Sequence, residues 1–167
     1  MLKILNNLSF FIEDNYRRIS VREYAKIANI SPPTASKQLD LLWKEKLLIK
    51  ETDKQYIYYS ANRDSWVFLK LSQIYWLHKL VALKEHLEKS MIDPVIILFG
   101  SLSKCETRQD SDIDVVVVSR SDKELDISNH EKQLKRKIHL LRYDNWDAIP
   151  KDIYRNIING VVISGRI

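Results

Sequence analysis

Two apolar runs, residues 95–99 and 115–118, bracket a polar stretch that opens on Gly100-Ser101 and closes, ten residues later, on Asp112-Ile113-Asp114. Short apolar runs between turn signals read as buried strands. Residues two apart in a strand share a face, so Asp112 and Asp114 are expected to project together while Ile113 and Val115 point the other way. Two carboxylates side by side repel unless something positive lies between them. A hard divalent cation does this well: Mg²⁺ takes oxygen ligands from one or two carboxylates and fills its remaining positions with water and phosphate oxygens. Gly100 lets a backbone approach a triphosphate without a Cβ in the way, and Ser101 offers a hydroxyl to phosphate or metal. Asp-x-Asp alone is common at strand ends and is usually just solvated. Gly-Ser at a fixed distance, with a strand on each side, is far more specific and suits nucleoside triphosphate chemistry.

The same arrangement resembles the minimal nucleotidyltransferases of the DNA polymerase β-like superfamily. The resemblance spans roughly residues 92–167 and includes the closing segment 153–165, a helix followed by a short strand. It implies transfer of a nucleotidyl group from a nucleoside triphosphate with two metal ions, in an in-line displacement. On this chain Asp112 and Asp114 would hold Mg²⁺ or Mn²⁺, and Gly100, Ser101 and Lys104 would bind ATP or another NTP. Lys104 stands where the family often has a basic residue in its Gly-Ser-x-Ala-Arg-Gly run. There are two departures. Cys105 replaces a usual glycine, which makes the loop bulkier, and His139, in Lys137-Ile138-His139-Leu140-Leu141, stands where complete members carry a third carboxylate. Imidazole is a poor Mg²⁺ ligand and a better one for Mn²⁺ or Zn²⁺. It can also serve as a base, or it marks a weakened site.

Charge and glycine content divide the chain. It has 167 residues, a net charge of +5 and three glycines, Gly100, Gly160 and Gly165. Residues 1–91 carry fifteen Lys and Arg against ten Asp and Glu and no glycine, whereas residues 92–167 carry twelve of each sign. With 45% hydrophobic and 29% charged residues, disorder and collagen-like repeats are excluded. One cysteine excludes a disulfide framework and a Cys-based zinc site. The apolar runs are too short to span a bilayer, and the start lacks a signal-peptide pattern. The expectation is a cytoplasmic protein with no membrane association.

The basic half has the punctuation of helix, turn, helix and hairpin over residues 19–62. Ser20 and Glu23 form a capping box. Asn29-Ile30 makes a short connection, and Ser31 before Pro32 reads as an N-cap with proline at the first helical position. The next helix buries Ala35, Leu39 and Leu42 and shows Thr34, Ser36, Lys37, Asp40 and Lys44 on its other side. Two short strands, 47–50 and 56–60, follow around a polar loop. A helix pair of this kind can place its second helix in a DNA major groove; on the plainer reading it is a helical hairpin with a solvated lysine face. With the hairpin included, the segment resembles winged helix-turn-helix DNA-binding domains of the MarR-like and ArsR-like type. That resemblance implies double-stranded DNA as a partner. Thr34, Ser36 and Lys37 would be groove contacts, and Arg22, Lys44, Lys50 and Lys54 phosphate contacts.

Residues 64–91 contain no Pro or Gly and read as one long helix or two short ones, opened by Asp64. This segment is either a connector packed on both domains or the interface of a homodimer. His78 and His86 lie eight apart, which does not suit a metal pair. The Lys132, Lys135, Arg136, Lys137 cluster ends another expected helix, where positive charge suits the dipole; it could also guide a polyanion.

The expected organisation is therefore α+β: a winged helix-turn-helix at 1–63, a connecting or dimerisation helix at 64–91 and a small mixed-sheet nucleotidyltransferase-like domain at 92–167. The whole resembles prokaryotic helix-turn-helix nucleotidyltransferase proteins. The leading expectation is an enzyme that transfers a nucleotidyl group, AMP from ATP, to a protein or small molecule. The alternatives are a DNA-binding transcriptional regulator whose second domain only binds nucleotide, and an antitoxin that partners a helical toxin encoded nearby.

Overall fold

A computed structural model describes residues 2–120 and 125–166. The chain forms two compact units, Met1–Ser72 with Cys105–Gln109, and Gln73–Lys104 with Asp110–Ile167. It therefore passes from one unit to the other three times, and the first passage falls inside a helix. Among the described residues no helix is long and apolar enough to cross a membrane.

The first unit begins with α1 (Lys3–Glu13), which buries Leu5, Leu8, Phe11 and Ile12 at three and four spacing. This helix carries the largest stripe of the unit's core and lies ahead of the first cap signal in the sequence. β1 (Ile19–Ser20) leads into α2 (Val21–Ala28), whose cap is Ser20 accepting from the Glu23 amide at 3.2 Å. The Glu23 carboxylate pairs with Arg17 at 2.7 Å. Asn29, at φ 53, closes α2 in a left-handed conformation that asparagine tolerates better than most residues. Ser31 then caps α3 (Pro32–Lys44), which buries Ala35, Leu39 and Leu42 as its period requires.

β2 (Leu48–Asp53) and β3 (Tyr56–Ala61) form a hairpin, and with β1 a three-stranded antiparallel sheet in the order β1-β3-β2. The expected polar loop from Glu51 to Gln55 shrinks to Lys54-Gln55, because Glu51, Thr52 and Asp53 pair with Tyr58, Ile57 and Tyr56. Arg18 holds this outer end, 2.9 Å from Asp53 and stacked 4.1 Å above the Tyr58 ring. Asp40 ties α3 to the hairpin by accepting from Lys50 Nζ and Tyr59 OH, both at 2.7 Å.

The segment over 64–91, expected as one long helix or two short ones, is two: α4 (Trp66–Lys79), capped by Ser65 rather than Asp64, and α5 (Val81–Ser90). They meet at the buried Leu80, whose ψ of 3° departs from helical geometry although its amide still donates to Trp76 and its carbonyl accepts from Lys84.

The second unit is built on a four-stranded sheet in the order β6-β5-β4-β7. β4 (Val95–Phe99) lies antiparallel to both β5 (Ile113–Val118) and β7 (Val161–Ser164), while β6 (Ile138–Tyr143) runs parallel to β5. The parallel pair is joined through α7 (Ser128–Leu134), as parallel strands need a crossover. α6 (Gly100–Lys104) follows β4, and α8 (Lys151–Ile158) precedes β7. Ile97, Phe99, Val116 and Val118 face one side of the sheet and cluster with Ile149 and Ile157. The alternate residues Ile96, Leu98, Val115 and Val117 are equally buried, which explains why these strands are almost wholly apolar. The chain is thus mixed α and β, with a small mixed sheet around the candidate site.

Candidate functional site

The site forms where β4 ends beside the start of β5. Phe99 pairs with Asp114 in the antiparallel register, so Gly100, the next residue, lies directly against the Asp114 carboxylate. A Cβ at position 100 would stand 2.1 Å from Asp114 Oδ2, and φ there is +71°, so glycine is required for space and for backbone conformation alike. The turn into α6 is fixed by Ser103 Oγ donating to the Gly100 carbonyl at 2.8 Å and by Gln73 Nε2 donating to the Ser103 carbonyl at 2.9 Å. Ser101 is half-buried in the first turn of α6. Lys104 ends that helix exposed, and its Nζ donates to Asn156 Oδ1 on α8 at 3.1 Å.

Asp112 immediately precedes β5 and Asp114 lies within it, with Ile113 buried on the opposite side. The approach to the strand is held by Arg136, whose Nη1 donates to the Ser111 carbonyl at 2.6 Å, and by the Ile113 amide donating to the Lys137 carbonyl. His139 is the register partner of Asp114 on the parallel strand β6. Its ring faces both carboxylates: Nε2 is 3.5 Å from Asp112 Oδ2 and Nδ1 is 3.4 Å from Asp114 Oδ1. These separations lie beyond the usual N–H···O range, so the imidazole occupies a complementary position rather than closing a short hydrogen bond. Asp114 is the more enclosed carboxylate, 27% exposed against 36% for Asp112. Burial raises its pKa above the ordinary carboxylate value and the Asp112 charge adds to this, while His139 opposes both.

The position on the neighbouring strand that faces both carboxylates is therefore taken by an imidazole. Among the described residues no three His, Cys, Asp or Glu side chains converge as a ready-made metal cage. Two carboxylates beside a cradle that a Cβ would fill nonetheless fit a hard divalent cation, which needs only one or two protein carboxylates when phosphate and water supply the rest.

Cys105, just beyond α6, is buried at φ 58, a left-handed conformation in which glycine is at ease. Asn156 was missed by the sequence reading, since nothing local links it to a lysine 52 positions earlier.

In the first unit, Thr34, Lys37 and Lys44 are exposed on α3 and Ser36 is half-buried. Thr34 Oγ1 lies 2.8 Å from Ser31 Oγ in the helix cap. Arg22 is exposed on α2, and Lys54 stands at the hairpin tip with φ 56. Lys50 differs from these. Its ammonium is engaged by Asp40 and lies 4.9 Å from the Trp43 ring centre, so less of its charge is available to a phosphate.

Compared with models of known families, residues 79–164 match the nucleotidyltransferase domain, a span of just over half of the chain. It takes in α5, all four strands of the mixed sheet, and Gly100, Ser101, Lys104, Asp112, Asp114, His139 and Asn156. No curated protein matches the chain.

Proposed function

This chain belongs to the nucleotidyltransferase domain family, and from that premise we propose that it transfers a nucleotidyl group, AMP from ATP, to an acceptor hydroxyl at the Gly100–Asp114 site. The observation that carries this reading is the contact of Gly100 with Asp114, which leaves backbone and carboxylate side by side with no Cβ between them. Ser101 and Lys104 bind the phosphates, Lys104 as a point charge steadied by Asn156. Asp112 and Asp114 hold Mg²⁺ or Mn²⁺, which when bound neutralises the developing charge on the transferring phosphoryl group. The acceptor oxygen attacks the α-phosphorus, the bond to the bridging oxygen of the β-phosphate breaks, and pyrophosphate leaves with that electron pair. The acceptor proton passes to an imidazole nitrogen of His139, whose ring faces both carboxylates. Incubating the purified protein with α-labelled ATP and either cation tests the proposal. Label retained on an acceptor supports it, and nucleotide binding without transfer overturns it.

We further propose that the first unit binds double-stranded DNA, with Thr34, Ser36 and Lys37 toward the groove and Arg22, Lys44 and Lys54 on phosphates. Its support is the sequence of capped helix, tight turn, second helix and hairpin, with these cations exposed. Binding should weaken with salt at a logarithmic slope of about 0.9 per phosphate neutralised. A homodimer is the assembly that suits paired half-sites, and Trp66, 69% exposed at the start of α4, is the apolar residue it would cover.

A second reading keeps the DNA binding and the nucleotide binding but not the transfer, making the protein a transcriptional regulator or an antitoxin. The imidazole in place of a third carboxylate is what favours it.

A further inference from the structure

The phosphate-binding limb, Gly100–Lys104, and the carboxylates Asp112 and Asp114 belong to the second unit, yet five of the residues that join them do not. Cys105–Gln109 packs as part of the first unit. There Asn15, 2% exposed, grips it at both polar groups of one peptide position. The Asn15 backbone N–H donates to the Thr107 carbonyl at 2.8 Å, and Asn15 Oδ1 accepts from the Thr107 backbone N–H at 2.8 Å. Asn15 Nδ2 donates to the Phe11 carbonyl at 2.8 Å, so the last turn of α1 fixes the side chain that does the gripping. Thr107 and Cys105 are fully enclosed. The next residue, Tyr16, presents its ring to the Arg108 guanidinium 4.0 Å away and to that of Arg63 at 4.2 Å.

We propose that Asn15 is a positioning residue for the nucleotidyl-transfer site, acting through the strap Cys105–Gln109 that it clasps; this rests on the function proposed above. The site needs Gly100 and Asp114 in van der Waals contact, and the strap sets where the chain leaves one limb and enters the other. An asparagine is suited to the task because one side chain must accept from Thr107 and donate to Phe11. Displacements of about 1 Å in such limbs are enough to cost catalysis heavily.

The test compares full-length wild type with Asn15→Ala, Asn15→Asp and Tyr16→Leu, using Asp40→Asn as a control that loosens the same unit elsewhere. Amide hydrogen exchange is read at residues 100–104 and 110–114 without nucleotide, together with MgATP affinity and the separate effects on KM and kcat. Asn15→Ala is expected to lose protection at both limbs and to bind MgATP about tenfold more weakly. Asn15→Asp keeps the acceptor for Thr107 but turns a buried carboxylate oxygen toward the Phe11 carbonyl, so it restores neither. Tyr16→Leu, at a half-exposed position, shifts both by about twofold in the same direction. Asp40→Asn leaves both unchanged. Wild-type exchange at the limbs in both Asn15→Ala and Tyr16→Leu overturns the proposal, as does an Asp40→Asn that behaves like Asn15→Ala. If wild type binds no MgATP while the limbs still loosen in Asn15→Ala, the positioning role stands and the nucleotidyl-transfer reading falls.

Discussion

Gly100 and Asp114 lie so close that a single added carbon on one would sit 2.1 Å from a carboxylate oxygen of the other. Gly100→Ala therefore has to displace the Asp114 side chain and hold an alanine at φ +71°. The expected outcome is a stability loss of about 1–3 kcal/mol by thermal unfolding, with nucleotide binding lost by calorimetry. An alanine variant that binds MgATP as well as wild type would mean that this contact is not the nucleotide cradle.

His139 faces two carboxylates, and His139→Asp makes three. Without a cation three neighbouring carboxylates repel, so the variant should unfold earlier than wild type by about 1 kcal/mol, or roughly 2–4 °C. Added Mg²⁺ should then raise its Tm by more than it raises that of wild type. Thermal shift assays with and without the cation read both effects.

Asp40, Lys50 and Tyr59 give the first unit a defined pH response. Hydrogen bonds from Lys50 and then Tyr59 hold the Asp40 pKa below its ordinary value, and the same bond from Asp40 raises that of Lys50. The Asp40 contribution is present above the unfolded carboxylate pKa of about 3.9 and is lost as pH falls through the depressed folded value. The Lys50 contribution is present below the unfolded value of about 10.4 and is lost as pH rises through the raised one. Asp40→Ala should cost about 1–2 kcal/mol near neutral pH. It should also flatten both limbs of the stability profile, as followed by denaturant unfolding across pH.

Scarcity of glycine has a structural counterpart in six other positions that, among the described residues, adopt left-handed backbone angles. Lys46 and Lys135, at φ 58 and 54, are exposed examples. Replacing either by glycine removes a Cβ conflict but adds freedom to the unfolded chain, for a net gain of about 0.5–1 kcal/mol. Chemical denaturation midpoints should rise in both variants and add in the double variant.

Much of the candidate site could be read from the sequence because its signals are local. The Gly100-Ser101 spacing to Asp112 and Asp114, the apolar strands on either side and the caps at Ser20 and Ser31 depend on neighbours within a few positions. The family resemblance alone puts His139 on a neighbouring strand, and the parallel pairing sets it opposite Asp114. What escaped was either hidden by ordinary composition or long in range. The stripe Leu5, Leu8, Phe11, Ile12 was there to be counted, but it lay ahead of the first cap signal. The turn at Leu80 has no glycine or proline to announce it. The meetings of Lys104 with Asn156 and of Asn15 with Thr107 join positions far apart in the chain, which periodicity does not see.

Separation of the two activities is the most direct test of the central claim. Wild type, Asp112→Asn and Asp114→Asn are incubated with α-labelled ATP and Mg²⁺ or Mn²⁺, and the same preparations are titrated with duplex DNA over a range of salt. The expected result is labelled acceptor with wild type only, and an unchanged, salt-dependent DNA affinity in all three. Transfer that persists in both variants, or DNA binding lost equally with it, would contradict a carboxylate-dependent transfer site distinct from the DNA-binding unit.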